Sequence, residues 1–201
     1  MSQFLPESKS QADVLVEIAR LFEQHGAGMY AGEPVTQREH ALQAAHFAEQ
    51  AGEPASVIAA ALLHDIGHLI HEFDEDCAEQ GIDDQHEAAG ADWLTTHAGF
   101  GSDVTEPIRL HVPAKRYLCA VDADYLARLS DASRLSLKLQ GGPFSSAEVD
   151  TFRNHKYFEA AVRLRGYDEQ AKQVDLPTPP LTHFISIVAT TWHGLPGRAS
   201  D

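Results

Sequence analysis

The chain has 201 residues, of which 43% are hydrophobic, and it carries 30 acidic against 15 basic residues, for a net charge of −15. This length and composition fit one compact domain with a full core. So acidic a surface repels polyanions, which makes nucleic acids and anionic membranes poor partners. No apolar stretch reaches the ~18 residues of a membrane-spanning helix, no segment resembles a secretory signal, and two cysteines are too few for a disulfide framework. We therefore expect a cytoplasmic globular protein.

The first quarter of the chain has the periodicity of two helices. Residues 10–25 place apolar side chains at helical spacing. A glycine-bearing loop with Tyr30 and Glu33 follows. A capping box that begins at Thr36 predicts the start of a second helix, and Gly52 is a typical helix end.

The middle of the chain continues with helical segments. Residues 55–63 are apolar all round, as in a central buried helix. Residues 72–84 are acidic and lack periodicity, which predicts a loop. Helical patterns resume at residues 86–94 and 103–111, and we expect Pro113 to stop the second of these.

The last third is also helical until its proline-rich end. Residues 115–134 indicate short helices, and residues 155–173 indicate a longer helix with one break at Gly166. Almost nothing alternates with period two, so the predicted fold is all-α, without internal repeats. We expect a single domain over residues 1–175, with residues 176–201 as a proline-rich tail that is packed on the domain as a surface strap or frayed from it.

A cluster of metal-binding residue types lies at the end of the central helix. His64 and His68 are four residues apart and point to the same side of a helix. Asp65 lies between them and has two oxygens, so it can bridge two ions, whereas a neutral imidazole offers one free lone pair. Adjacent ionisable groups at the end of a buried helix need a compensating partner. A metal centre is the economical explanation.

Further nitrogen and oxygen ligands are available elsewhere, and none is sulfur, which favours hard-to-borderline metal ions. In the resulting hypothesis Asp65 bridges two ions, and the other ligands are His40, His64 and Asp168 on one ion and His86 and His111 on the second. His68 would orient a ligand or an acid–base partner. Ordinary hydrogen-bonded roles are expected for the remaining histidines, which are His25, His46, His71, His97, His155, His183 and His193.

The ligand pattern resembles that of the HD-domain superfamily, which has a histidine, a His–Asp pair and a distant aspartate, and the two added histidines resemble its dinuclear branch. Segments 30–35, 111–118, 140–143 and 168–171 (YAGEPV, HVPAKRYL, QGGP and DEQA) are further similar to the PhnZ type of oxygenase. The match runs from about residue 12 to residue 172. The resemblance implies an HD-domain helical bundle that encloses a mixed-valent Fe(II)/Fe(III) pair and uses O2 to cleave carbon–phosphorus bonds.

The resemblance also implies a role for each matching residue. The iron that holds substrate would be bound by His40, His64, Asp65 and Asp168, and the iron left open for O2 by Asp65, His86 and His111. Tyr30 would cover the open iron until substrate displaces it, and Glu33 would meet a cationic nitrogen of the substrate. The phosphonate group would be bound by Lys115, Ser133 and Arg165.

Two substrates and two other functions follow as possibilities. 2-Amino-1-hydroxyethylphosphonate would give phosphate and glycine, whereas 1-hydroxy-2-(trimethylammonio)ethylphosphonate would give phosphate and glycine betaine, and the overall resemblance favours the trimethylated compound. An alternative is a metal-dependent HD-domain phosphohydrolase that acts on a nucleotide or another phosphate ester. A non-catalytic binding module is a third reading, disfavoured because the ligand set is complete.

Overall fold

The computed structural model describes residues 9–30, 32–70 and 80–195, and within these ranges its regular structure is helical apart from two isolated β-bridges. The predicted all-α class is therefore confirmed. The twelve helices of the described ranges are α1 (Gln11–Gln24), α2 (Gln37–Gln50), α3 (Ala55–Leu63), α4 (Gly67–Ile70), α5 (His86–Thr96), α6 (Ser102–Arg109), α7 (His111–Val121), α8 (Ala123–Arg128), α9 (Asp131–Leu139), α10 (Ser146–Arg153), α11 (Phe158–Gln170) and α12 (Leu181–Ala189). In these ranges no helix has the length and hydrophobicity required to cross a bilayer.

Capping boxes fix the starts of three helices. At α2 the Thr36 hydroxyl accepts from the Glu39 amide at 3.2 Å, and the Glu39 carboxylate accepts from the Thr36 amide at 2.8 Å, as predicted. Ser10 and Ser145 begin α1 and α10 in the same way. Each such cap is worth about 1 kcal/mol. The cap at Thr36 places His40 at the end of the first turn of α2.

Helix α3 is the centre of the core, as its apolar sequence predicts. Its residues 57–63 are all buried, and α2, α6, α11 and α12 pack around it. Ala59, Ala60 and Ala61 are completely inaccessible to solvent, because small side chains let the surrounding helices approach closely. Consequently the turn that follows α3 emerges inside the protein and not at its surface.

Two predicted helix boundaries are wrong. Pro113 does not stop a helix: α6 ends at Arg109, and Pro113 is the third residue of α7. A proline is tolerated in the first turn, where its missing N–H would have no helical partner. Gly166 does not break α11, because packing against α2 and α7 outweighs the ~1 kcal/mol that a helical glycine costs.

The tail contains a helix that the sequence analysis did not predict. Leu181, Phe184 and Val188 of α12 are buried at helical spacing, and α12 packs against α3 and α1. Residues 181–189 are thus packed on the domain, which was one of the two expected outcomes, but as a buried helix and not as a surface strap. Prolines before residue 181 masked this periodicity, although a proline directly before a helix is compatible with its start.

Candidate metal centre

The six side chains predicted as metal ligands meet in one buried cluster. Each is at most 9% exposed, and five parts of the fold contribute them: α2, the turn after α3, the first residue of α5, the first residue of α7, and α11. The six are His40, His64, Asp65, His86, His111 and Asp168. Ordinarily such polar groups are buried only with partners that compensate for lost hydration.

Asp65 lies between two pairs of histidines. Its Oδ2 is 3.5 Å from Nε2 of His40 and 3.1 Å from Nε2 of His64. Its Oδ1 is 3.4 Å from Nε2 of His86 and 3.5 Å from Nε2 of His111. Neither oxygen makes a well-aligned hydrogen bond in the described ranges. Each oxygen thus faces one histidine pair, which is the arrangement of a bridging carboxylate.

Main-chain carbonyls orient three of the four imidazoles. The Nδ1–H groups donate to the carbonyl oxygens of nearby residues: His40 to Ala171 at 2.7 Å, His64 to Ala61 at 2.9 Å, and His111 to Ile108 at 2.7 Å. A carbonyl can only accept, so the hydrogen of each neutral ring must be on Nδ1. The Nε2 lone pair is then directed into the cluster.

The spacing of the Nε2 atoms tests whether these residues fit metal ions. Nε2 of His40 is 3.1 Å from Nε2 of His64, and Nε2 of His86 is 3.2 Å from Nε2 of His111. Two facing lone pairs repel unless a cation or proton lies with them. Two nitrogens 2.1 Å from one ion and at right angles to each other are about 3.0 Å apart. Both pairs therefore have the spacing of neighbouring ligands, and a metal ion could be held on each side of Asp65.

Asp168 completes the side of the cluster that contains His40. Its Oδ1 is 3.4 Å from Nε2 of His40 and 3.9 Å from Nε2 of His64, and it has no hydrogen-bond partner in the described ranges. Its Oδ2 is contacted by the guanidinium of Arg165. One oxygen is thus held by a cation and the other remains directed at the histidines.

Asp84, which the sequence analysis did not single out, orients the fourth imidazole. Its Oδ1 accepts from Nδ1 of His86 at 2.9 Å, and its Oδ2 lies 2.8 Å from Nδ1 of His68. The rings of His68 and His86 are stacked, with centroids 4.1 Å apart. His68 therefore reaches the cluster through a carboxylate that it shares with His86. The only sequence signal for Asp84 was an aspartate two residues before a candidate ligand.

Gly67 allows the main chains of α4 and α5 to touch. A Cβ atom at position 67 would lie 2.1 Å from the carbonyl oxygen of His86. Only a residue without a side chain fits such an approach. This contact sets the first residue of α5 against the turn that carries Asp65.

The charges of the cluster shift its pKa values. In the metal-free protein burial lowers the pKa of His40, but the adjacent carboxylates of Asp168 and Asp65 outweigh burial and raise it to about 9. Burial likewise lowers the pKa of His86, but Asp84 and Asp65 outweigh burial and raise it to about 9. Burial would raise the pKa of Asp65, yet the surrounding histidines hold it well below its usual range. Asp65 thus stays ionised, as a metal ligand must be.

Comparison with known proteins identifies the family. The HD domain family model matches residues 38–132. The chain is 43% identical over 179 residues to the [1-hydroxy-2-(trimethylamino)ethyl]phosphonate dioxygenase (glycine-betaine-forming) of Leisingera caerulea, covering 89% of this chain and 90% of that protein. It is 47% identical over 178 residues to the hydroxymethylphosphonate dioxygenase of Gimesia maris, covering 88% and 87%. The chain belongs to the HD-domain family of phosphonate dioxygenases.

This family assignment confirms the resemblance inferred from the sequence. A third relative, an uncharacterized protein of Acanthamoeba polyphaga mimivirus, is 39% identical over 173 residues, covering 85% of this chain and 78% of that protein. Both relatives with named activities are oxygenases, which favours that reading over the phosphohydrolase alternative. Asp168 lies beyond the part of the chain that the HD domain model matches.

Tyr30 was predicted to cover the iron of His86 and His111, but its ring lies against His40, on the other side of Asp65. Its ring is stacked on that of His40, with centroids 3.7 Å apart and planes 12° from parallel. Burial, and then the negative charges of Asp65 and Asp168, raise the pKa of Tyr30 well above its usual value, so the phenol stays protonated. Its amide donates to the carbonyl oxygen of Val35 at 2.9 Å.

The three residues predicted to bind the phosphonate are linked through other side chains, with Ser136 between Lys115 and Ser133, and Lys172 and Glu169 between Ser133 and Arg165. Lys115 is 4% exposed and donates to the Ser136 hydroxyl at 2.9 Å. Burial, and then the charge of Arg165, lower the pKa of Lys115 to about 7. The Ser133 hydroxyl instead accepts from Lys172 at 3.1 Å. Ser136 and Lys172 are therefore polar contacts of the predicted pocket that the sequence analysis missed.

The buried guanidinium of Arg165 contacts three other side chains of the protein. Its Nε donates to the Tyr125 hydroxyl at 2.7 Å, and its two terminal nitrogens contact Asp168 and Glu169. Burial opposes the charge, but Asp168 outweighs it and raises the pKa of Arg165 well above its usual value. The guanidinium is thus a permanent cation that fixes Asp168, whatever further contact it makes with a ligand.

Proposed function

We propose that the protein is an iron-dependent oxygenase that uses O2 to cleave the carbon–phosphorus bond of a 1-hydroxyphosphonate. The observation that carries the proposal is the Asp65 carboxylate, with one oxygen facing His40 and His64 and the other facing His86 and His111. Two histidines and one carboxylate are the ligand set typical of non-haem Fe(II) oxygenases. The two relatives named as phosphonate dioxygenases support the same reaction class.

The proposed reaction balances with O2 as the sole oxidant. A substrate RCH(OH)PO3H2 and one O2 give RCOOH and H3PO4. The carbon–phosphorus bond breaks, carbon and phosphorus each gain one oxygen by count, and O2 accepts the four electrons. No further reductant is consumed in a turnover.

The proposed ligand assignment follows the two sides of Asp65. Asp65, Asp168, His40 and His64 would hold one iron, and Asp65, His86 and His111 the other. An Fe(II)/Fe(III) pair would supply the one-electron chemistry with O2 that amino-acid side chains do not provide. The protein contributes the fixed tautomers, the ionised carboxylates and a site largely closed to water.

Protein cations would bind and orient the phosphonate. Burial lowers the pKa of Lys115 to about 7, so its amine is only partly protonated at neutral pH. A phosphonate dianion beside it would favour the charged form, so Nζ of Lys115 would take up or retain a proton as substrate binds. Charge-assisted hydrogen bonds from this ammonium and from the neighbouring hydroxyls would then fix the phosphonate oxygens. Tyr30 would gate the site, since a turn can shift with less loss of packing than a core helix.

Oxygen consumption and phosphate release test the proposal together. Iron-loaded protein, purified under reducing conditions, is mixed with 1-hydroxyphosphonates, and we expect one phosphate released for each O2 consumed. His86→Ala should abolish both, and substrate should perturb the electron paramagnetic resonance signal of partly oxidised protein. Phosphate release that persists without O2, or turnover of phosphate esters with manganese or cobalt, would instead identify a hydrolase.

A further inference from the structure

Glu33, the acid expected to meet a substrate ammonium, already faces a cation of the protein. Nζ of Lys172 lies 3.4 Å from Oε1 of Glu33, and both side chains are only 12% exposed. Within the described ranges that oxygen is buried and makes no hydrogen bond. The Lys172 ammonium is therefore the charge that compensates Glu33.

Lys172 is held at this position by its other contacts. Its Nζ donates to Ser133 at 3.1 Å and to Glu169 at 3.2 Å. Glu169 also contacts Arg165. The charges thus alternate from Glu33 through Lys172 and Glu169 to Arg165, which also pairs with Asp168. Lys172 is the cation of this network that faces Glu33.

The main chain on both sides of Lys172 is anchored to α2. The carbonyl of Ala171 accepts from His40 at 2.7 Å. The amide of Gln173 donates to Gln43 at 3.0 Å, and the carbonyl of Gln173 accepts from Gln43 at 2.8 Å. Because both neighbours are fixed, Lys172 cannot leave Glu33 by a shift of its backbone.

We propose that Lys172 is a specificity-determining residue that neutralises Glu33 and directs the pocket towards 1-hydroxyphosphonates without a cationic nitrogen, such as hydroxymethylphosphonate. The proposal rests on the phosphonate oxygenase function above and narrows its substrate. A substrate ammonium at Glu33 would have to displace Lys172 or lie close to a like charge, and both cost affinity. A substrate without that ammonium leaves the network intact.

The chemistry of the pocket offers one rival role for Lys172. Because its Nζ also contacts Ser133, a phosphonate bound there could attract the ammonium and free Glu33 for a cationic nitrogen. In that case Lys172 binds the phosphonate, and its removal should weaken the binding of all three hydroxyphosphonates equally. The two roles predict different outcomes for the same substitution.

The test compares kcat and KM for three substrates: hydroxymethylphosphonate, 2-amino-1-hydroxyethylphosphonate and its trimethylated relative. The native protein should prefer hydroxymethylphosphonate by at least about tenfold in kcat/KM, the factor expected from one charge conflict of about 1.4 kcal/mol. Lys172→Met should reduce this preference about tenfold, chiefly by lowering KM for the two cationic substrates. Lys172→Gln, which keeps a polar side chain, should act in the same direction if the methionine variant folds poorly.

Two further variants separate the pair from general effects of charge. Lys156→Met removes an exposed lysine that contacts Tyr157, and should leave the ratios unchanged. In a Glu33→Gln background Lys172→Met should change the ratios much less than it does in the native protein, because the carboxylate that Lys172 neutralises is already gone. The proposal would be overturned if the native protein preferred a cationic substrate. It would also be overturned if both Lys172 variants lost kcat/KM equally for all three substrates.

Equilibrium binding keeps this inference separate from the proposed function. Isothermal titration calorimetry of the metal-loaded protein with the same three compounds should give the same order of affinity without turnover. If none of them supports O2 consumption, the oxygenase function fails, while the change in binding order in the Lys172 variants still decides the role of the pair.

Discussion

Substitution of Asp84 by alanine should weaken metal binding without touching a proposed ligand. Asp84 accepts a hydrogen bond from Nδ1 of His86 at 2.9 Å and lies 3.3 Å from its backbone nitrogen, and it is also 2.8 Å from Nδ1 of His68. Alanine removes all three contacts. The His86 ring would then be free to rotate and to place its hydrogen on Nε2, where it would block the lone pair.

The magnitude follows from these contacts. Loss of the group that orients a ligating histidine typically costs 10–100-fold in metal affinity, which corresponds to about 1.4–2.7 kcal/mol. His86 and His111 lie on one side of Asp65, and the three remaining rings keep their main-chain carbonyls. We therefore expect one of the two metal equivalents to weaken by this factor and the other to change little.

A competition titration against a chromophoric chelator measures both equivalents. Asp83→Ala is the matched control, because Asp83 is adjacent, exposed and of the same charge. Affinities within twofold of the native values in Asp84→Ala, or an equal loss in Asp83→Ala, would refute the reasoning. Asp84→Asn should be intermediate, since its amide oxygen can still accept from one imidazole.

Three further perturbations test the cluster and the core. In the metal-free protein His40 and His86 have pKa values of about 9 against a usual 6.5, so their stabilisation should be present below pH 6.5 and lost between pH 6.5 and 9, by roughly 3 kcal/mol each. Lys115, whose pKa is lowered to about 7, offsets part of this loss above pH 7. If urea unfolding shows that stability is constant or rises between pH 6.5 and 9, the raised pKa values of His40 and His86 are contradicted. Phe184→Ala should lower the free energy of unfolding by about 3–5 kcal/mol, because the side chain is fully buried; an unchanged urea midpoint would exclude α12 from the cooperative core. Gly67→Ala should cost about 1–3 kcal/mol and weaken metal binding, since its Cβ would overlap the His86 carbonyl; a melting temperature equal to the native value would mean that the backbones separate freely.

Local sequence signals were sufficient for much of the fold and for the composition of the cluster. A capping box depends on residues three apart, so the start of α2 could be predicted at Thr36. The apolar run of α3 predicted burial on all sides, and the adjacent His64 and Asp65 predicted that this burial had to be compensated. These inferences required no knowledge of which helices pack together.

The remaining features depend on contacts between distant parts of the chain. Whether Gly166 breaks α11 is decided by packing against α2 and α7, which no local propensity contains. Lys172 and Glu33 are 139 positions apart in the sequence, and their ion pair depends on how the turn after α11 lies against the loop before α2. Asp84 is close to His86 in sequence, but its bridging contact with His68 is set by tertiary structure.

The three imidazoles that donate to backbone carbonyls differ from His86 in their tolerance of mutation. Every residue type has a carbonyl oxygen, so replacing Ala171, Ala61 or Ile108 changes packing but cannot delete the acceptor. The acceptor for His86 is a carboxylate that a single codon change removes. In a library of random variants, substitutions of Asp84 should therefore yield graded changes in metal occupancy. Substitutions of Ala171, Ala61 or Ile108 should either retain the orientation of the rings or lose the fold.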